Sequence, residues 1–190
     1  MASSTALDLS AEIEGVSLRE LSMVDAPRML PYFSSPEVCR YIPWEPRGEE
    51  GVSEFIRTKC SVRRPENDGE FLVLGIHHFE QGLVGQMNIT IKSSVTGWAE
   101  FGYVLNPEFT GRGFATLGSR LIVALAFGHL GVRRLTAYID ERNTASISVV
   151  QRLGMRLEAR EVDVEELKGE LVTMLRFAAL SREWPDLNGQ

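Results

Sequence analysis

The segment running from Gly102 through Asn106 and Gly111 to Thr116 constrains the fold more than any other part of the chain: a β-like run enters a glycine-rich turn that opens directly into an apolar helix. Gly111 and Gly113 permit a tight turn. Having no Cβ, they also leave room for an anionic group to approach the backbone N–H groups of residues 111–116. Those groups open a helix, so they lack intrahelical partners and lie at its positive dipole end, a setting suited to a phosphoester. Two familiar phosphate motifs do not fit. A P-loop needs a lysine after its last glycine, whereas Gly118 is followed by Ser119 and Arg120. The Rossmann fingerprint needs a third glycine where this chain has Thr116, and an acidic ribose partner further on. Taken alone, the turn is either a plain strand-to-helix connection or a pyrophosphate cradle of another class.

The flanking sequence alternates between two periods. Leu18–Leu21 reads as a short strand, and Ser22 as the cap of a helix over Asp25–Phe33. Cys39–Pro46 holds two prolines and two aromatics and predicts an ordered loop, followed by an amphipathic helix over Glu49–Arg63. Phe71–His77 and Leu83–Ile91 are strand-like runs around a hairpin tip ending at Gly82, and Trp98–Leu105 adds another strand. From Ala115 the apolar residues recur at the helical period until Gly131 stops them. Arg134–Asp140 then predicts a strand, Thr144–Arg152 a helix ended by Gly154, and Met155–Val164 with Leu171–Phe177 a closing pair around Lys168 and Gly169. Antiparallel strands, then β-helix-β-helix, then two strands describe an α+β fold with a mixed sheet and one parallel crossover.

A chain of 190 residues, 44% hydrophobic, suits one domain spanning residues 1–190, with residues 1–12 and 185–190 expected to be poorly ordered. A net charge of −6 gives no attraction to a nucleic-acid backbone. No stretch approaches a membrane span and no leader pattern opens the chain, so a soluble, cytoplasmic protein with neither nucleic-acid nor membrane partners is expected. Cys39 and Cys60 belong to no C-x-x-C pattern, and His77, His78 and His129 have no ligand spacing, so no metal is expected.

Asn143 and Ser146 follow the strand ending at Asp140. In a β-α-β crossover both parallel strands end at one sheet edge, which sets these residues beside the 111–116 turn. Asn143 can cap the helix or offer its amide to a ligand, and Ser146 can serve the local backbone or a ligand.

Taken in order, Arg40–Trp44, Gly82–Gln86, Glu100–Pro107, Gly111–Thr116, Asn143–Ser146, Leu153–Met155 and the closing Glu183-Trp184 make the chain resemble the GNAT N-acetyltransferases of the RimJ/RimL type over nearly its whole length. The resemblance implies a mostly antiparallel central sheet with helices on both faces and acetyl-CoA as co-substrate, without a metal. It implies that backbone groups of Val104 and Leu105 pair with the pantetheine and that Gly111, Arg112, Gly113, Phe114 and Ala115 hold the pyrophosphate, with Thr116 and Asn143 as further cofactor-binding residues. The superfamily loop starts with Gln or Arg where this chain has Thr110, so Arg112 stands as a substitute phosphate contact. Glu100 is the candidate base. Many relatives place a tyrosine acid where this chain has Val150, and Ser146 is the candidate that protonates or stabilises the leaving thiolate. By resemblance, Arg40, Tyr41, Trp44 and Glu45 wall the side of an amine acceptor, either a protein N-terminus or a small molecule such as an amino sugar, antibiotic or polyamine. A non-catalytic acyl-CoA-binding module is the competing reading, and the oligomeric state stays open between monomer and homodimer.

Overall fold

Apolar residues at strand spacing bring eight segments of the chain into one sheet in the computed structural model, which describes residues 7–184. In chain order they are β1 (Glu12–Ile13), β2 (Val16–Glu20), β3 (Phe71–His78), β4 (Gly82–Ser93), β5 (Trp98–Leu105), β6 (Arg134–Asp140), β7 (Arg156–Leu167) and β8 (Glu170–Leu180). The order across the sheet is β1-β2-β3-β4-β5-β6-β8-β7. Every pairing is antiparallel except that of β5 with β6. The expectation of loose tails covers residues 1–12 and 185–190; residues 1–6 and 185–190 lie outside the described residues, whereas within 7–12 Leu7 and Leu9 pack against the core, as does Ile13.

The helices are α1 (Ala26–Phe33), α2 (Pro36–Cys39), α3 (Glu49–Lys59), α4 (Phe114–Gly128) and α5 (Thr144–Arg152). Alternation along each strand divides the apolar side chains between two layers. On one face α4 and α5 cover Ile76, Met87, Phe101, Leu135 and Ile139. On the other, α1 and α3 cover Val73, Leu83 and Val104 through Met29, Phe33, Val52 and Phe55. Gly118 lets α4 approach the sheet closely, since a Cβ there would stand 3.1 Å from Ile76 Cδ1 and 3.3 Å from Met87 Sδ.

Several boundaries differ from the sequence reading. Ser22 precedes a single 3-10 turn over Met23–Asp25, and α1 starts only at Ala26. Asp25 turns its carboxylate back to accept from Ser22 N (2.9 Å) and Ser22 Oγ (3.2 Å). α3 stops at Lys59 rather than Arg63, with Cys60 as its C-cap leaving helical backbone and its N–H donating to the Ile56 carbonyl. The last hairpin is longer than predicted, and its register shifts between Glu161 and Glu165, where Asp163 takes φ 49°.

Candidate active site

β5 and β6 pair only over Trp98–Glu100 and Arg134–Thr136, and beyond those rungs they separate. β5 continues to Leu105 along β4, and β6 continues to Asp140 along β8, so each strand is held on its far side while the edges facing each other lose their partners. Side chains close the paired end. Trp98 Nε1 donates to Thr136 Oγ1 at 2.9 Å, and Thr136 Oγ1 donates to the Ala99 carbonyl at 3.2 Å. The free backbone edge after Glu100 offers donors and acceptors at strand spacing to an extended amide-bearing ligand. Val104 turns its side chain into the α1/α3 layer and Leu105 packs on the α4 layer, which leaves their backbone groups, rather than their side chains, for that role.

The glycine turn lies at the open end. Gly111 and Gly113 adopt φ 75° and 86°, the left-handed region that favours glycine, and a Cβ on either would meet open space. Gly113 is the residue before α4 and no side chain caps that helix, so the amides of its first turn remain free for an anion. Phe114 and Ala115 are buried anchors beneath this turn, with Phe114 edge-on to Phe109, their ring centroids 6.2 Å apart. Thr110 spends its hydroxyl on the Pro107 carbonyl (2.9 Å). Arg112 lies with its guanidinium 5.5 Å from the Phe109 ring centre, at the rim of the turn.

Asn143 caps α5, its Oδ1 accepting from Ser146 N at 3.1 Å, so only its amide nitrogen is left to point elsewhere. The Ser146 hydroxyl meets the Tyr103 hydroxyl at 3.1 Å, with either oxygen able to donate. This contact joins β5 to α5 where the two strands part. Burial raises the Tyr103 phenol above its ordinary value against smaller opposing effects of Ser146 and Arg152, so it stays protonated and able to donate. The sequence reading missed Tyr103. Its available signal was parity, because Tyr103 shares a strand face with the apolar Ala99 and Phe101 and so carries a hydroxyl into the α4/α5 side. Val150, where many relatives carry a tyrosine, is 1% exposed in the core.

Glu100 has the opposite parity and faces away from Ser146, at the last paired rung of β5. Its carboxylate is 29% exposed and 3.5 Å from Lys92 Nζ. The structure thus places the two candidate catalytic residues on opposite sides of the sheet, one on either side of the gap between β5 and β6.

The four acceptor-side candidates divide. Trp44 stacks on Phe33 (5.7 Å, 10°) and lies near Phe55, a packing anchor. Glu45 is exposed and meets Lys168 Nζ at 3.4 Å, and Lys168 also donates to the Trp44 carbonyl. The β7–β8 tip therefore touches the 40–46 loop. Arg40 lies over the Tyr41 ring (5.4 Å) and is near enough to Asp140 to favour its ionised form. Asp140 itself is buried; burial works to raise its pKa, but the Arg142 guanidinium and backbone N–H outweigh it and hold the carboxyl below its ordinary value.

Burial pushes the Cys60 thiol up to about 11 and raises that of Cys39, so neither is a thiolate near neutral pH. Among the described residues no group of three or more His, Cys, Asp or Glu side chains is arranged to hold a metal ion, and no helix is long and apolar enough to cross a membrane.

Residues 16–156 match the acetyltransferase (GNAT) domain family. The N-acetyltransferase p20 of Bacillus licheniformis is 25% identical over 90% of this chain and 96% of its own length. Among solved structures, an acetyltransferase (GNAT family) from Bacillus anthracis superposes with a TM-score of 0.81 at 22% identity, covering 90% of this chain and 98% of that one. A spermidine N-acetyltransferase from Vibrio cholerae, solved with CoA and spermine, superposes at 0.77 with 17% identity over 90% and 98% of the two chains.

Proposed function

This chain belongs to the GNAT acetyltransferase family, and on that premise we propose that it moves an acetyl group from acetyl-CoA to a primary amine by direct attack in a ternary complex. The gap between β5 and β6, bridged at its open end by Tyr103 and Ser146, is the observation that carries this reading. The chain's residues suit the donor: an unpaired strand edge for amides, and an uncapped helix start at a glycine turn for a pyrophosphate. When bound, acetyl-CoA supplies an activated thioester whose sulfur leaves as thiolate.

Two proton transfers remain for the protein. An amine must be neutral to attack, and Glu100, on the face opposite α4 and α5, is suited to take its proton directly or through water. On the α4/α5 face the Tyr103–Ser146 pair is suited to deliver a proton to, or hold a hydrogen bond on, the leaving sulfur. The raised thiols of Cys39 and Cys60 support direct attack over an acyl-cysteine route.

For the acceptor, a protein N-terminus is favoured over a polyamine. Glu45, Glu141 and Glu170, along the side bounded by the 40–46 loop and the β7–β8 hairpin, are already paired with Lys168, Arg160 and Arg142. A polycation would have to displace these partners, whereas a single amine need not.

The test is release of free CoA thiol from acetyl-CoA, with peptides bearing a free N-terminus in one arm and spermidine in the other. Amine-dependent release, faster with peptide, is the expected result. Glu100→Gln should lower turnover by roughly 100-fold or more; an unchanged rate removes Glu100 as base. Saturable CoA binding with no release in any arm would leave a binding module and sink the catalytic reading.

A further inference from the structure

Among the described residues the sheet carries two side-chain amides, Gln86 and Asn88, both on β4. Met87 and Ile89 point into the α4/α5 core, so Gln86 and Asn88 face the other way, toward the side that carries Glu100. Gln86 is 2% exposed and its carbonyl accepts from the Tyr32 hydroxyl at 3.2 Å, which ties it into the packing under α1. Asn88 is half-buried, and its side chain makes no hydrogen bond among the described residues while solvent still reaches its amide.

Gly102 decides where that amide lies. It is the cross-strand partner of Asn88 and the first residue of this face beyond Glu100, the last rung that β5 shares with β6. A Cβ at 102 would stand 3.1 Å from Asn88 Oδ1 and 3.6 Å from its Nδ2, so the missing side chain lets the amide lie across β5 toward the gap. Thr90 pairs with Glu100, which makes Asn88 and Glu100 diagonal neighbours on one face, about 7–8 Å apart at the backbone. One small group between their side chains spans that distance.

An acceptor amine at Glu100 brings its neighbouring atoms over Gly102, where they displace water from Asn88. An amide covered there without partners is costly, because its donor and its acceptor both lose their hydration. On extended backbone the N–H and C=O of one residue share an edge, so the first residue of a peptide can accept from the Asn88 NH2 group and donate an amine N–H to its oxygen. An alkylamine carries methylenes at that place and leaves the NH2 group unpaired.

On the acceptor reading above, we infer that Asn88 selects an α-amine with a neighbouring carbonyl over a plain alkylamine. It orients the first residue of a peptide while Glu100 takes the proton, and it has no part in the donor site.

Steady-state release of CoA thiol by the intact protein, with a short peptide bearing a free N-terminus in one arm and excess n-butylamine in the other, tests this. The wild type should use the peptide with a kcat/KM about tenfold or more above that for butylamine. Asn88→Ala should lower kcat/KM for the peptide about tenfold, mostly through KM, and leave the butylamine value within about twofold. Asn88→Val, which favours strand backbone, carries the same expectation should the alanine variant fail to fold, and CoA affinity by calorimetry verifies that either variant is folded. A peptide preference that survives in the folded variants, or losses equal for both amines, overturns the role of Asn88 and leaves the N-terminus reading standing. A wild type that prefers butylamine overturns the N-terminus reading and this inference with it.

Discussion

At the scale of single residues, the hydroxyl pair Tyr103–Ser146 and the half-buried His77 make the sharpest claims. Tyr103→Phe removes one neutral hydrogen bond and should slow turnover up to about tenfold. Ser146→Ala, which removes the α5 hydroxyl that meets Tyr103, should slow it further. In both variants acetyl-CoA affinity should change less than the rate; equal losses in the two would make the pair a binding contact only. His77 concerns stability. Burial, with Arg19 and Arg28 nearby, lowers its pKa from 6.5 to about 4. Asp25 Oδ1 lies 3.9 Å from its Nε2, but Arg19 already holds that oxygen at 2.6 Å, so the contact does not keep the imidazole charged. The folded pKa lies below the unfolded one, so the unfolded chain takes up the proton first. Stability is therefore whole above pH 6.5, falls as pH drops toward 4, and levels off below that. Between those limits the wild type should lose up to about 3 kcal/mol more than His77→Gln, measured by urea unfolding. Equal pH slopes would refute the assignment. None of this was legible beforehand: parity places His77 and His78 on opposite faces, but not which neighbours each would meet.

At the scale of elements, the strand-turn-helix unit from β5 into α4 is where local sequence and observed structure agree most closely. Both glycines take the left-handed backbone for which they were singled out, and the helix starts at the second. Gly113→Ala tests that unit, because the methyl has room but φ 86° does not suit it. The variant should lose about 1–2 kcal/mol of stability in a denaturant melt and bind CoA more weakly. A fully stable variant with unchanged affinity would show that the turn does not need glycine. Element types were readable from apolar period alone, since periods of 2 and 3.6 reflect which faces are buried. Boundaries were less so. α3 ends early, at Lys59, and the β7–β8 hairpin grows beyond its apolar run because backbone pairing carries it on through charged residues. The contact of Lys168 with Trp44 and Glu45 joins positions far apart in the chain, and no local pattern announces it.

At the scale of the whole molecule, the gap between β5 and β6 organises everything else. It is held open by two separate ladders, β4–β5 on one side and β6–β8 on the other, so a ligand can add to the strand edges without unfolding either. Ligand that binds only the folded state should then stabilise the entire sheet. At a CoA concentration about 100 times its dissociation constant the gain is about 2.7 kcal/mol, and the melting temperature should rise by roughly 5–10 °C. No shift at saturating CoA would contradict donor binding in this gap. By itself the sequence determined the α+β class, the element order, the phosphate-suited turn and the family resemblance, because these depend on local period, on glycine's backbone freedom and on short motifs. Only the tertiary structure decided that Glu100 and Ser146 face opposite sides of the sheet, that Tyr103 meets Ser146, that Trp44 is a packing anchor, and that Asn88 lies over Gly102. Those relations depend on register and on where strands stop pairing, which are settled by long-range packing rather than by any residue's neighbours in the chain.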